Sequence, residues 1–209
     1  MVPDTSPAAA RARLKPSDAA RRLRETSAVP AASERPPSHL LYLLRHAKSS
    51  WDNPGLSDHE RPLAPRGRKA ARLIARHLDE AGIRPALVLC SAALRARQTY
   101  ECVRPAGELV IEPLLYGASA GAVAERVRAV PEAVASVMVI GHNPAMQALA
   151  VGLAADEVTG AADEQLETLR EKFPTCALAT LRLSGPWNAL APGSCQLLEV
   201  VRPADLMTE

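Results

Sequence analysis

His46 and His142 each stand just beyond a short apolar run, the first after Leu40-Leu41-Tyr42-Leu43-Leu44 and Arg45, the second after Val137-Met138-Val139-Ile140 and Gly141. Runs of this length read as buried strands. Two imidazoles at the ends of two such strands, one beside a guanidinium, are where an open α/β sheet assembles a site for an anionic substrate. An imidazole attacks phosphorus only while neutral, and neighbouring cations keep it neutral because they disfavour a further positive charge. Phosphoryl transfer through a histidine is the chemistry these residues suggest.

Such a site needs strands that end side by side. From Leu40 onward strand and helix signals alternate, without an internal repeat, which predicts an α/β three-layer sandwich around a mostly parallel, mixed sheet. After the first strand a polar loop runs through Arg61 to a helix over 65–81, with Ala70, Leu73, Ile74, His77, Leu78 and Ala81 on one face and Gly82 as its stop. Residues 86–90 make a second strand, and Ser91 is expected to cap the helix bearing Arg95, Arg97 and Thr99. Val110-Ile111 is a short strand and 120–130 a short helix. Beyond the strand at 137–140, Asn143 is expected as N-cap with Pro144 at the first helical position. A more polar helix over 164–172 leads to strands at 177–183 and 196–201, the expected antiparallel edge of the sheet.

With 209 residues, 47% of them hydrophobic, the chain can fill one ordinary core without staples. Cys90, Cys102, Cys176 and Cys195 are scattered, with no Cys-x-x-Cys pair and no histidine-rich metal spacing, so a reducing, cytoplasmic setting and no metal are expected. No apolar stretch approaches the roughly 20 residues of a membrane span, and the N-terminus lacks the apolar core of a signal peptide. The net charge of +2 is uneven: residues 1–38 carry seven Lys/Arg against four Asp/Glu, and the rest eighteen against nineteen. An aromatic content of 3%, with the basic excess confined to that segment, argues against nucleic acid as a partner. Residues 1–38, rich in Ala, Arg, Pro and Ser, are expected to be a disordered extension ahead of a single domain over 39–209; their acidic residues count against an organellar transit peptide.

Three stretches in this order, each after a strand, resemble the histidine phosphatase superfamily, which includes phosphoglycerate mutases and acid phosphatases: Arg45-His46, then Ser91-Ala92-Ala93-Leu94-Arg95-Ala96-Arg97-Gln98-Thr99, then Gly141-His142-Asn143-Pro144. Within it, Arg45-His46-Ala47-Lys48-Ser49-Ser50-Trp51, Arg61-Pro62-Leu63 and Phe173-Pro174-Thr175 are similar to the small phosphohistidine phosphatases of SixA type. The resemblance covers residues 40–203 and implies a phosphoglycerate mutase-like fold, a nucleophilic His46, and a phosphate pocket of Arg45, Arg95 and His142, joined by Arg61. Arginine suits that pocket because its planar fork grips two phosphate oxygens and its charge is permanent. The family pattern Ser-x-x-x-Arg-Ala-x-x-Thr selects Arg95 and leaves Arg97 on the surface. Arg66, Arg68 and Lys69 read as an exposed helix edge, and His39, His59 and His77 as non-catalytic.

Larger relatives protonate a leaving alkoxide with a carboxylic acid. Here Glu112 is the nearest candidate by position, with Asp58 and Glu60 behind it, but Pro113-Leu114-Leu115-Tyr116-Gly117 does not reproduce those enzymes' acid motif. A missing acid matters less when the leaving group is imidazole, because the P–N bond is labile, so this departure from the larger relatives favours phosphohistidine in a protein as substrate. The alternatives are a small phosphomonoester, such as a sugar or nucleotide phosphate, and a module that binds a phosphoprotein without turnover. No cofactor is implied. A cysteine-dependent phosphatase would need a Cys-x5-Arg phosphate loop; Cys176 through Arg182 has the spacing but no glycine, and reads as a strand.

Overall fold

The computed structural model describes residues 38–155 and 161–207. The extension expected over residues 1–38 therefore lies, Ser38 apart, outside the described residues. Strands β1 (Ser38–Arg45), β2 (Leu87–Ser91), β3 (Glu108–Glu112), β4 (Ser136–Gly141), β5 (Leu178–Ser184) and β6 (Cys195–Val201) form one sheet in the order β3-β2-β4-β1-β5-β6. The first four are parallel, β5 runs antiparallel to β1, and β6 pairs antiparallel with β5, as expected of a mixed sheet with an antiparallel edge. Among the described residues the helices are α1 (Pro65–Glu80), α2 (Leu94–Val103), α3 (Ala120–Arg128), α4 (Ala145–Leu153) and α5 (Ala161–Glu171).

The apolar runs of β1, β2 and β4 lack strict alternation because both of their faces are covered. Leu41 and Leu43 pack in one core with side chains of α3, α4 and α5, whereas Tyr42 and Leu44 pack in a second with α1 and α2. The result is three layers. The chain leaves β1 through α1 on one face and leaves the neighbouring β4 through α4 on the other, so the connections diverge at the carboxyl ends of this strand pair. That divergence opens the crevice in which open α/β sheets bind ligands.

Local starts and stops follow side-chain chemistry, with three departures from the sequence reading. The buried face of α1 is Gly67, Ala71, Ile74 and Leu78, while Ala81 is exposed. Its seating is set at Gly67, where a Cβ would lie 2.2 Å from the Lys48 carbonyl oxygen, so only glycine lets the helix approach the chain leaving β1. Gly82, at φ +64°, supplies the left-handed residue that ends this helix. Helix α2 begins after Ala93 without a side-chain cap, because Ser91 is drawn to His142. Helix α4 starts at Ala145 with Pro144 as its N-cap, since the Asn143 amide donates to the Phe173 carbonyl (3.1 Å) and to Gln147 Oε1 (3.1 Å).

Candidate active site

The register of the central strands brings the two histidines together. Arg45 pairs with Gly141, so His46 and His142 both occupy the first position beyond the β1–β4 ladder. The His46 N–H donates to the Gly141 carbonyl (2.9 Å), and the imidazole centroids are 4.9 Å apart, close to the ~4.8 Å spacing of neighbouring strands. On the other side, the Cys176 N–H reaches the carbonyls of Arg45 (3.0 Å) and His46 (3.1 Å), fixing the peptide from which both side chains project.

His46 is buried, and its tautomer is determined. Nδ1–H donates to the Ala47 carbonyl (2.8 Å), which can only accept, so Nε2 carries the lone pair. The Arg95 Nε–H points at that lone pair from 3.4 Å. Burial, with His142, Arg95 and Arg45 adding to it, lowers the His46 pKa to about 3 against the opposing Ala47 hydrogen bond. His142 is lowered to about 4 by burial, with Arg95 next in weight. The Ser91 hydroxyl accepts from the Ala93 N–H (3.4 Å) and shares a hydrogen bond with His142 Nε2 (2.8 Å), while His142 Nδ1 is buried with no hydrogen-bond partner among the described residues. Arg45 Nε is likewise buried without a partner, while its Nη1 donates to the Phe173 carbonyl (2.7 Å). Two buried ring and guanidinium nitrogens without protein partners, the Arg45 Nε–H among them a permanent donor, suit an oxyanion.

Asp58 ties the remaining guanidinium groups into the cluster. Arg95 donates through Nη1 to the Asp58 carbonyl (2.6 Å) and through Nη2 to Oδ2 (2.9 Å), so all three of its nitrogens are engaged. The Tyr116 hydroxyl donates to the same Oδ2 (2.9 Å), and Arg61 Nη1 to Oδ1 (2.7 Å). Burial pulls the Asp58 pKa upward, but the Tyr116 hydrogen bond and the charges of Arg95 and Arg61 outweigh it, holding the carboxyl below its usual range. Arg61 is itself fixed by Ser49 Oγ (2.5 Å) and the Ser50 carbonyl (3.2 Å), with the exposed Trp51 ring 3.2 Å beneath its guanidinium carbon. Beneath the cluster, Thr99 Oγ1 accepts from the Ala47 N–H (2.9 Å) and donates to the Arg95 carbonyl (2.6 Å), linking both strand-end segments to one hydroxyl.

Of the residues singled out in the sequence, His46, Arg45, Arg95, His142 and Arg61 are thus connected in one cluster. Glu112 is not joined to it: its Oε2 accepts from Arg126 Nε on α3 at 2.7 Å, an ion pair that occupies the carboxylate expected to be nearest the leaving group. Arg97 is exposed, as the motif implied. His39, at the start of β1, is buried against Trp187 with Nδ1 on the Gly185 carbonyl (2.8 Å), a structural rather than catalytic place. His59 packs against the edge of Tyr116, and His77 faces Glu199. Burial pushes the Cys176 thiol up to about 12, so the Cys-x5-Arg spacing does not supply a thiolate. Among the described residues no group of three or more His, Cys, Asp or Glu side chains is placed to hold a metal.

The depressed imidazole pKa values have a consequence for the fold. In the unfolded chain these histidines take up protons as pH falls through about 6.5, whereas in the native protein His46 and His142 wait until about 3 and 4. The unfolded state therefore binds more protons across that window, and stability falls as pH is lowered from 6.5. The expected result is a Tm that declines between pH 6.5 and pH 4, less steeply in His46→Gln; equal slopes in the two proteins would remove the cause assigned here.

Residues 41–175 match the family model of the histidine phosphatase superfamily (branch 1). An uncharacterized protein of Mycobacterium tuberculosis is 41% identical over 155 residues, covering 74% of this chain and 96% of that protein. A provisional SixA phosphohistidine phosphatase from Nakamurella multipartitia superposes with a TM-score of 0.70 at 30% identity, covering 79% of this chain and 96% of its own. The protein histidine phosphatase SixA complexed with tungstate gives 0.64 at 28% identity, over 80% and 99%.

Proposed function

Because the chain belongs to the histidine phosphatase superfamily, we propose that it removes a phosphoryl group from phosphohistidine in a protein, through a covalent phosphohistidine intermediate on His46. The His46 Nε2 lone pair attacks phosphorus in line, the P–N bond to His46 forms, and the bond to the substrate imidazole breaks. Nδ1–H stays on the Ala47 carbonyl throughout, so the positive charge that develops on the ring has an acceptor already in place. Arg45, Arg95, Arg61 and His142 supply fixed donors to the three phosphoryl oxygens as negative charge spreads over them. Water then attacks the phosphorylated His46, releasing phosphate and restoring the imidazole.

The observation that carries the phosphohistidine reading is the state of Asp58. It is the carboxylate that touches Arg95, Arg61 and Tyr116, and it is held ionised at neutral pH. An ionised carboxylate cannot protonate an alkoxide leaving group, and Glu112 is committed to Arg126. Imidazole leaves without a strong acid because the P–N bond is labile, so phosphohistidine suits this site better than a sugar or alcohol phosphate does. A protein substrate is further supported by the rim: Trp51 is 70% exposed and Leu114 81%, and the half-open Tyr116 lies edge-on to His142 at 5.7 Å. Aromatic side chains such as Trp51 and Tyr116 are enriched at protein interfaces. The relative bound to tungstate, a tetrahedral oxyanion, is in keeping with a phosphoryl pocket.

The test is phosphate release from a phosphohistidine-bearing phosphotransfer domain, with p-nitrophenyl phosphate in parallel. Fast release from the protein and slow ester hydrolysis are expected; turnover of small esters alone would transfer the assignment to a metabolic phosphomonoesterase.

Thr99 acts in this scheme as a positioning residue. Thr99→Val keeps the volume but strands the buried Ala47 N–H, a loss of about 1–3 kcal/mol in stability. It also loosens the Ala47 peptide whose carbonyl holds His46 Nδ1, so kcat is expected to fall with little change in KM. Thr99→Ser, which restores the hydroxyl, should recover kcat; failure to do so would show that the methyl packing, not the hydrogen bonds, is what Thr99 contributes.

A further inference from the structure

A second feature lies beside Arg45, away from the Asp58 side of the cluster. An open trough of about 810 Å³ is lined by Arg45, Lys48, Arg66, Lys172 and Arg202, with Glu171 as its acidic member. The cations come from separate parts of the fold: Lys48 follows β1, Arg66 is in the first turn of α1, Lys172 follows α5 and Arg202 follows β6. Arg202 is paired with Asp205 (2.9 Å). The side chains of Lys48, Arg66 and Lys172 make no hydrogen bond or ion pair among the described residues, and Arg66 and Lys172 are exposed. This concentration does not follow from overall charge, because residues 39–209 carry eighteen Lys/Arg against nineteen Asp/Glu.

We infer that this trough docks an acidic stretch of the protein whose phosphoryl group His46 receives. The inference rests on the phosphoprotein reading above and adds the chemistry of the partner. Arg45 borders both the trough and the histidine cluster, so an acidic segment lying along it continues from the phosphoryl group. Between the cations the walls are small and aliphatic, with Ala70, Pro174, Pro203 and Ala204, a surface for the methylene stems of Glu and Asp rather than for bases. No aromatic side chain lines it, whereas single-stranded nucleic acid sites combine basic charge with stacking rings. Unpaired charges on a rim steer and orient an oppositely charged partner.

Binding of a fluorescein-labelled oligoglutamate peptide, followed by anisotropy at low and at physiological salt, tests this without recourse to turnover. Arg66→Glu/Lys172→Gln removes two of the unpaired cations at exposed positions, and a glutamate in the first turn of α1 is compatible with the helix dipole. The wild-type protein is expected to bind, more weakly as salt rises. The double variant should bind roughly tenfold more weakly while hydrolysing p-nitrophenyl phosphate as before. Arg76→Glu/Arg97→Gln makes the same charge change at exposed positions outside the trough and should leave binding intact. The inference is overturned by absence of binding at low salt, by equal loss in both double variants, or by a labelled oligothymidylate binding the trough more tightly than the peptide. Because the readout is affinity, failure here would leave the phosphatase reading standing, and failure of phosphohistidine turnover would leave the trough result intact.

Discussion

His46→Ala is expected to leave no phosphatase activity above background, a fall on the order of 10⁴-fold or more, as when a nucleophile that works through a covalent intermediate is removed. The side chain is small, and the strand end that carries it is fixed through its backbone, by Gly141 on one side and Cys176 on the other, so the variant should fold. Its measurement has two parts. Initial rates are compared with wild type, and both proteins are quenched during turnover of a ³²P-labelled phosphohistidine protein. Wild type should carry label that is lost in acid and kept in base, as a phosphoramidate behaves, and the variant should carry none. Label on the variant, or near-normal rates, would refute the covalent role of His46.

Arg95→Ala is expected to cost about two to four orders of magnitude in kcat/KM, the range seen when a fixed donor to a developing oxyanion or an arginine finger is removed. Two losses coincide in this substitution. A guanidinium whose Nε faces the nucleophile is gone, and Asp58, which it holds through both backbone and side chain, keeps only Arg61 and Tyr116. Arg95→Lys separates them: it retains a charge but cannot span His46 and Asp58 together, so it should recover little of the rate. A lysine variant with most of the wild-type rate would mean that charge alone, rather than the fork, is what this position supplies. The Asp58 pKa, read by NMR, should rise toward the ordinary carboxylate value in Arg95→Ala because one of the cations holding it down has been removed.

The parts of this site that sequence makes legible are those attached to strand ends. Apolar runs with both faces buried have a strong signal, and once β1 and β4 are recognised as parallel neighbours, Arg45, His46 and His142 follow from where the runs stop. Arg95 and Thr99 were legible through the spacing of a motif, and their i,i+4 separation on α2 explains why the hydroxyl reaches the Arg95 carbonyl. Residues that act through loops carry no such period. Asp58 entered only as a distant candidate for a proton donor, whereas its contacts make it a clamp; the one local signal was its i,i+3 spacing to Arg61. Tyr116, which closes on Asp58 from 58 positions away, had none. Glu112 stands at the end of β3, but position at a strand end does not show which neighbour its carboxylate meets, and Arg126 of α3 takes it. Ser91 and Asn143 illustrate the same limit: both have cap chemistry, and tertiary partners claim it.

The strand that ends in Arg45 lies between β4 and β5 at the middle of the sheet, and the His46 amide is bonded to Gly141 across the ladder. Amides in such a place exchange with solvent only when the whole domain opens, since local fraying removes edges and loops first. Deuterium uptake at His46 should therefore be among the slowest in the molecule, while Asp58 and Tyr116 exchange early. Mild denaturant would then impair the protein in two stages, losing first the grip of the loop-borne clamp and last the nucleophile, so that the capacity to accept a phosphoryl group persists for as long as there is a folded sheet to carry it.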